Sequence, residues 1–311
     1  MLSPHACDPA ANVYLMTYSR FMSDRAESAA VIALLRGASG SWREVVERLD
    51  EEGSARALLD STPGRLFETG QPADLEAIAD EIEAWEREGM RLVTVLDADY
   101  PENLRGVYDR PPFIFIRGEL LGRDAEGVAV VGTRQATPAG LELARAVVAE
   151  LVAADYTVLS GLALGVDGAA HLAALEHQGR TVALLGTGLR RAYPPAHAPL
   201  QERIARECAV VSQFWPDAPP TKRSFPMRNA VMSGMALGTV VIEASQTSGA
   251  RMQARLALEH GRPVLLPASL VSQHEWAADY AARPGTHVFD EPAEVPRIVR
   301  SLTALDAPLV A

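Results

Sequence analysis

The spacing of apolar residues changes character along the chain. Over residues 12–60 it is helical: Ala29, Ala30, Ile32, Ala33, Leu34 and Leu35 form one run that stops at Gly37. Ser41 stands as an N-cap ahead of Val45, Val46 and Leu49, with Glu44 at the capping-box position. Thr62-Pro63-Gly64 interrupts the pattern, and Ala73–Gly89 resumes it with Leu75, Ile78, Ile82 and Trp85 on one side. These segments predict a small helical domain over residues 1–90.

Beyond residue 90 the runs shorten. Residues 91–96 and Phe113–Gly118 read as strands, separated by a turn, a short helix and the stiff stop Asp109-Arg110-Pro111-Pro112. From residue 127 six apolar runs alternate with helical stretches: 127–132, 156–161, 181–186, 208–214, 238–244 and 262–267. The intervening helices are expected at 138–154, 166–177, about 197–206, about 228–236 and 248–260, with loops at 187–195 and 216–226. Short buried strands alternating with helices predict an α/β fold, a doubly wound, mostly parallel, Rossmann-like sheet with helices on both faces. The domain is expected over 91–300, with a short helix after 290 and a tail at 301–311.

Composition narrows this little. At 48% hydrophobic and 22% charged the chain resembles an ordinary globular protein, which excludes disorder over most of its length. No apolar stretch long enough to span a membrane and no secretory leader is evident, and two cysteines, Cys7 and Cys208, suit a reducing compartment. A cytoplasmic location is the expectation. The net charge of −11 argues against a nucleic-acid partner, but it is unevenly spread. Residues 1–120 carry 12 basic and 22 acidic side chains, whereas 128–270 carry 13 and 10. Lys222 is the one lysine beside 28 arginines, a bias that base composition alone explains.

Ligands of open parallel sheets bind beyond the carboxyl ends of the strands. Four expected strand ends are rich in glycine and small polar residues: Gly132-Thr133-Arg134, Ser160-Gly161, Gly186-Thr187-Gly188 and Ser248-Gly249-Ala250-Arg251. Such turns let backbone N–H groups approach an anion, although each alone is also an ordinary tight turn. No G-x-G-x-x-G or P-loop accompanies them, so neither a dinucleotide nor a nucleotide-triphosphate cofactor is expected. No metal-ligand cluster or serine elbow is visible. Asp167 and His171, four apart on one helix, read either as an acid/base pair or as a cap-region aspartate beside a buried histidine. Lys222-Arg223-Ser224-Phe225-Pro226-Met227-Arg228-Asn229 places three cations and an aromatic ring together. That composition suits single-stranded nucleic acid, and equally a solvated loop whose Phe225 packs inward.

In order and spacing these segments resemble the DprA/Smf family of bacterial DNA-processing proteins. The resemblance covers about 100–267 and rests on Tyr100-Pro101, Asp109–Pro112, Arg117-Gly118, Val131–Arg134, Ser160–His171, Leu185–Leu189, Tyr193–Pro195, Phe225–Asn229, Ser233-Gly234, Glu243-Ala244, Ser248-Gly249 and Ala254–Arg262. It implies an extended Rossmann fold that binds single-stranded DNA and loads RecA during transformation, acting as a homodimer without established catalysis. By the same resemblance Arg134 lines the DNA pocket, Lys222, Phe225 and Arg228 form its basic and aromatic loop, and Ser160, Gly161, Gly186, Gly188, Ser248 and Gly249 belong to the rim. Departures are Ala230, where the family often has a further arginine, with Arg251 as a substitute, and an altered loop at 268–278. A C-terminal winged helix, common in the family, is not expected within this sequence. The alternatives are a nucleotide-binding enzyme of the N-glycosidic hydrolase type, for which Glu243 is the carboxylate at the corresponding strand end, and an interaction module without either ligand.

Overall fold

The computed structural model describes residues 25–37, 41–61 and 74–305. The expected helical start at 12–24, Cys7, the break at 62–64 and residues 306–311 lie outside the described residues. Contacts divide the chain into two units, Met1–Glu88 with Leu92–Tyr100, and Gly89–Arg91 with Pro101–Ala311.

The smaller unit is helical: α1 (25–37), α2 (Trp42–Glu52), α3 (Ala55–Ser61) and α4 (Leu75–Arg87). The α1 run Ala29–Leu35 is buried throughout, and Val45, Val46, Leu49, Ile78, Ile82 and Trp85 are buried on their helices. Ser41 Oγ accepts the Glu44 N–H at 3.3 Å, and its hydroxyl donates to the Glu44 carboxylate at 3.2 Å. Glu27 crosses to the start of α3 and accepts from Ala55 N at 2.7 Å, where a carboxylate meets unpaired helix N–H groups.

The larger unit is built on a sheet. Strand β1 (Met90–Thr94) is divided between the two units. The strands wholly within the larger unit are β2 (Phe113–Gly118), β3 (Gly127–Val131), β4 (Thr157–Ser160), β5 (Thr181–Leu184), β6 (Ala209–Ser212), β7 (Gly238–Val241), β8 (Val264–Pro267) and β9 (Thr286–Phe289). They lie in the order β2-β6-β5-β4-β3-β7-β8-β9. Every recorded pairing from β6 through β9 is parallel, and β2 joins β6 antiparallel. Residues of β3 to β8 are buried without alternation, as strands covered on both faces must be.

The helices of this unit supply that cover. They are α5 (Glu102–Arg105), α6 (Pro138–Ala153), α7 (Val166–Glu176), α8 (Ala198–Glu207), α9 (Ser224–Met235), α10 (Gly249–Glu259), α11 (Ala268–Gln273), α12 (Glu275–Ala281) and α13 (Glu294–Leu305). Val128 and Val130 pack with Val147 and Leu151 of α6, Ala170 and Ala174 of α7 and Val295 and Val299 of α13. The chain runs β3-β4-β5-β6 in one direction across the sheet, then returns to lay β7 on the other side of β3. The order therefore reverses between β3 and β7, and their carboxyl ends diverge there to leave a crevice.

Three expectations change. The stretch expected as a loop up to 226 becomes helix at Ser224, because Pro226 falls in the first turn, where a missing N–H costs nothing. Thr221 and Ser224 fasten that start reciprocally, each side-chain oxygen accepting the other's N–H at 3.0 Å. The segment 268–278 is not a loop but α11 and α12, with Trp276 buried and its Nε1 donating to Ala244 O at 3.2 Å. Strand β9 follows β8, where no further clear strand was expected.

Candidate functional site

The crevice between β3 and β7 holds a cavity of about 360 Å³. Its wall is made by Val131–Gln135 after β3, Ala163 and Asp167 before and within α7, Phe225, Arg228, Asn229 and Met232 of α9, and Ser245, Ser248, Gly249, Ala250 and Gln253 around the start of α10. Eight of the residues expected from the sequence to bind DNA or phosphate meet here: Gly132, Thr133, Arg134, Phe225, Arg228, Asn229, Ser248 and Gly249.

Each is placed by its backbone. Thr133 N donates to Glu243 O at 2.7 Å, tying the turn after β3 to the end of β7. A side chain at Gly132 would overlap Val166, so glycine lets α7 start close to β3. Ser248 caps α10, its Oγ accepting from Ala250 N at 3.2 Å. Arg134 is exposed, and its guanidinium carbon lies 5.3 Å from the centroid of the Phe225 ring. Tyr193 approaches the same ring at 5.5 Å. An arginine held over an aromatic face combines a phosphate ligand with a surface for a base.

The remaining candidates stand behind or beside the wall rather than in it. Ser160 is buried and its Oγ donates to Val130 O at 2.7 Å, bracing β4 against β3. Gly161 makes room for the Arg228 guanidinium, which donates to the Gly161 carbonyl. Gly186 lies beneath Phe225, whose Cδ1 would be 2.7 Å from an added Cβ. Thr187 is buried and accepts the Ser212 hydroxyl on its carbonyl at 2.7 Å. Gly188 N donates to Ala218 O at 3.0 Å in the loop after β6. Lys222 is exposed in the turn before α9. Arg251 is half-buried in the first turn of α10 and donates to Gln246 O at 3.0 Å.

Arg228 lines the cavity from α9 but is a buried cation, 7% exposed, donating to the carbonyls of Gly161 and of Leu184, the latter at 2.9 Å, and to Asn229 Oδ1 at 2.9 Å. It draws the ends of β4 and β5 onto α9. Burial lowers its pKa and the Asp167 charge opposes this, yet an arginine stays protonated. Burial pushes the Asp167 carboxyl up from its ordinary value, against Arg228 and the N–H groups of Ala163, Gly132 and Gly161. His171 is fully buried, with Nδ1 2.7 Å from Thr181 Oγ1, and burial drives its pKa down to about 3, helped by His197. It is a neutral core histidine, so Asp167 and His171 do not form an acid/base pair facing the cavity.

Glu243 also turns away. Its Oε2 accepts from Thr137 N at 3.0 Å and from Thr137 Oγ1 at 3.1 Å, ahead of α6, and it does not line the cavity. A second hydrogen-bonded chain joins Asp109, His260 and Ser233, with His260 Nε2 2.8 Å from Asp109 Oδ1 and Nδ1 2.9 Å from Ser233 Oγ. Ser233 is wholly buried, so this chain ties α9 and α10 to the Asp109 turn and presents no nucleophile. Among the described residues no group of three metal-ligating side chains is found, and no helix is long and apolar enough to cross a membrane.

Comparison with known proteins places the whole arrangement. Residues 91–295 match the family model of DNA recombination-mediator protein A. The chain is 38% identical over 179 residues to the DNA processing protein DprA of Streptococcus pneumoniae, covering 57% of this chain and 63% of that protein. It is 37% identical over 198 residues to the Smf protein of Escherichia coli, covering 63% and 53%. The matches thus span under two thirds of these relatives' lengths. The crystal structure of the Streptococcus pneumoniae DprA superposes with a TM-score of 0.68 at 28% identity, covering 86% of this chain and 96% of that one. DNA processing protein A of Helicobacter pylori, a protein with its own single-stranded DNA binding mode, shares the fold at a TM-score of 0.60 and 23% identity, covering 68% and 96%. With a strand-order reversal flanked by Gly132-Thr133-Arg134 and Ser248-Gly249, and a family-model match across more than half of its length, the chain belongs to the DprA/Smf family, that of DNA recombination-mediator protein A.

Proposed function

We propose that this protein binds single-stranded DNA in the crevice between β3 and β7 and passes the strand to a RecA-type recombinase, as a homodimer in the cytoplasm. The observation that carries the reading is the Arg134 guanidinium over the Phe225 ring at the mouth of the crevice. Phosphate oxygens pair with the guanidinium, a base stacks on the ring, and the N–H groups at the start of α10 add donors. Support comes also from the DNA-processing relatives and from the single-strand binding of the Helicobacter pylori protein. Duplex DNA offers its base faces to no ring, so the site favours single strands.

A binding role fits the carboxylates better than hydrolysis does. Asp167, the carboxylate in the wall, is engaged by backbone N–H groups and by the Arg228 charge, and Glu243 is engaged at Thr137. With Arg228 internal, three of the four cations expected at the site are left to meet phosphates: Arg134, Lys222 and Arg251. The log–log salt dependence of single-strand affinity is then expected to have a slope of about −2. Fluorescence anisotropy with a labelled single-stranded oligonucleotide at several salt concentrations tests this. Arg134→Ala is expected to weaken binding about tenfold and to flatten the slope by about one unit. Binding unchanged in Arg134→Ala, or equal affinity for duplex, overturns the proposal.

A further inference from the structure

Gln253 lies on the second turn of α10 and is 1% exposed. It lines the crevice, yet neither its amide nitrogen nor its amide oxygen has a hydrogen-bond partner. Buried carboxamides are almost always paired, so two unfilled bonding directions in a ligand crevice mark a position that an occupant completes. Its neighbours are already engaged. The Asn229 amide accepts from Arg228 Nε at 2.9 Å and donates to Gly249 O at 3.4 Å, and Ser248 Oγ caps α10.

The chemistry of the missing partner follows from the group. A carboxamide offers a donor and an acceptor side by side in one plane. Phosphate supplies acceptors alone and would leave the amide oxygen facing an anion. A nucleobase edge supplies an adjacent donor and acceptor, and pairs with an amide through two parallel bonds. The cavity of about 360 Å³ has room for one base with its sugar, and it is walled on the α9 side by Met232 and the Phe225 ring.

Building on the single-stranded DNA reading above, we propose that Gln253 reads the hydrogen-bonding edge of one base turned out of the strand into this crevice. Arg134 and Phe225 hold the strand without regard to sequence, and Gln253 adds a preference among bases. Adenine, whose amino group and ring nitrogens present amide-complementary edges on two sides, is the favoured base.

The test is binding of four labelled homopolymers, and of an oligonucleotide of abasic residues, to the wild type and to Gln253→Met, which keeps the length of the side chain without its polar atoms. The wild type is expected to bind oligo-dA most tightly and the abasic strand most weakly. Gln253→Met is expected to lose about 5- to 100-fold for oligo-dA and to level the four homopolymers, with the salt slope unchanged. A thermal melt checks that Gln253→Met folds, and Gln253→Thr is the second variant if it does not. Equal wild-type affinity for the four homopolymers, or a preference that survives both substitutions, overturns the inference while leaving the DNA site standing. Absence of binding to every oligonucleotide overturns the DNA site and this inference together.

Discussion

Gly186 shows how a residue without chemistry decides the site. An added Cβ would stand 2.7 Å from Phe225 Cδ1, in contact that the ring can relieve only by leaving its place under Arg134. Gly186→Val is therefore expected to weaken single-strand binding about as much as Phe225→Ala does, roughly tenfold or more for a lost stacking platform. Anisotropy titrations of both variants check it, and full binding by Gly186→Val would show that the ring position is immaterial. His171 gives a pH prediction. Its proton is bound near pH 6.5 in the unfolded chain and near pH 3 in the folded one. Stability is then complete above pH 6.5 and falls as pH drops toward 3, by roughly 1.4 kcal/mol per unit. Denaturant titrations from pH 7 to 5 should show this fall, and it should shrink in His171→Leu.

The elements of the sheet are largely legible in the sequence because fully buried strands must be short apolar runs, set apart by longer stretches that form the crossovers. Residues 127–267 show that alternation, and each run from 127–132 to 262–267 contains an observed strand. Strand β9 escapes because His287 and Val288 are partly exposed at the sheet's edge, so Thr286–Phe289 lacks an apolar run. The early start of α9 escapes because Pro226 reads as a loop residue unless its place in the first turn is known. The site is legible in its rim and not in its depth. Arg134 and Ser248-Gly249 stand at strand ends that glycines announce. Gln253 reads as a polar residue inside a helix, and its burial depends on α9 packing against α10. Arg228 reads as a phosphate cation, and the carbonyls it bonds in the structure lie 67 and 44 residues away. Because it joins α9 to the ends of β4 and β5, Arg228→Met is expected to cost about 2 kcal/mol or more, leaving two carbonyls unpaired and the Asp167 charge exposed to an apolar neighbour. Chemical denaturation measures it, and wild-type stability would mean that Arg228 is spare for a ligand.

At the scale of the molecule the charge is divided. Residues 1–120 carry an acidic surplus and residues 128–270 a mild basic one. A net charge of −11 opposes diffuse attachment to DNA, so whatever binding occurs must come from a local arrangement of few cations and a stacking surface. The strand-order reversal supplies that locality, because one crevice receives loops from both halves of the sheet. The most direct measurement is photo-crosslinking of a bromodeoxyuridine-substituted single-stranded oligonucleotide, with the linked peptides read by mass spectrometry. Crosslinks in Gly132–Gln135 and Phe225–Asn229, lost on competition with unlabelled single strands, are the predicted result. Crosslinks confined to residues 25–88, or binding with none at the crevice, would contradict the account.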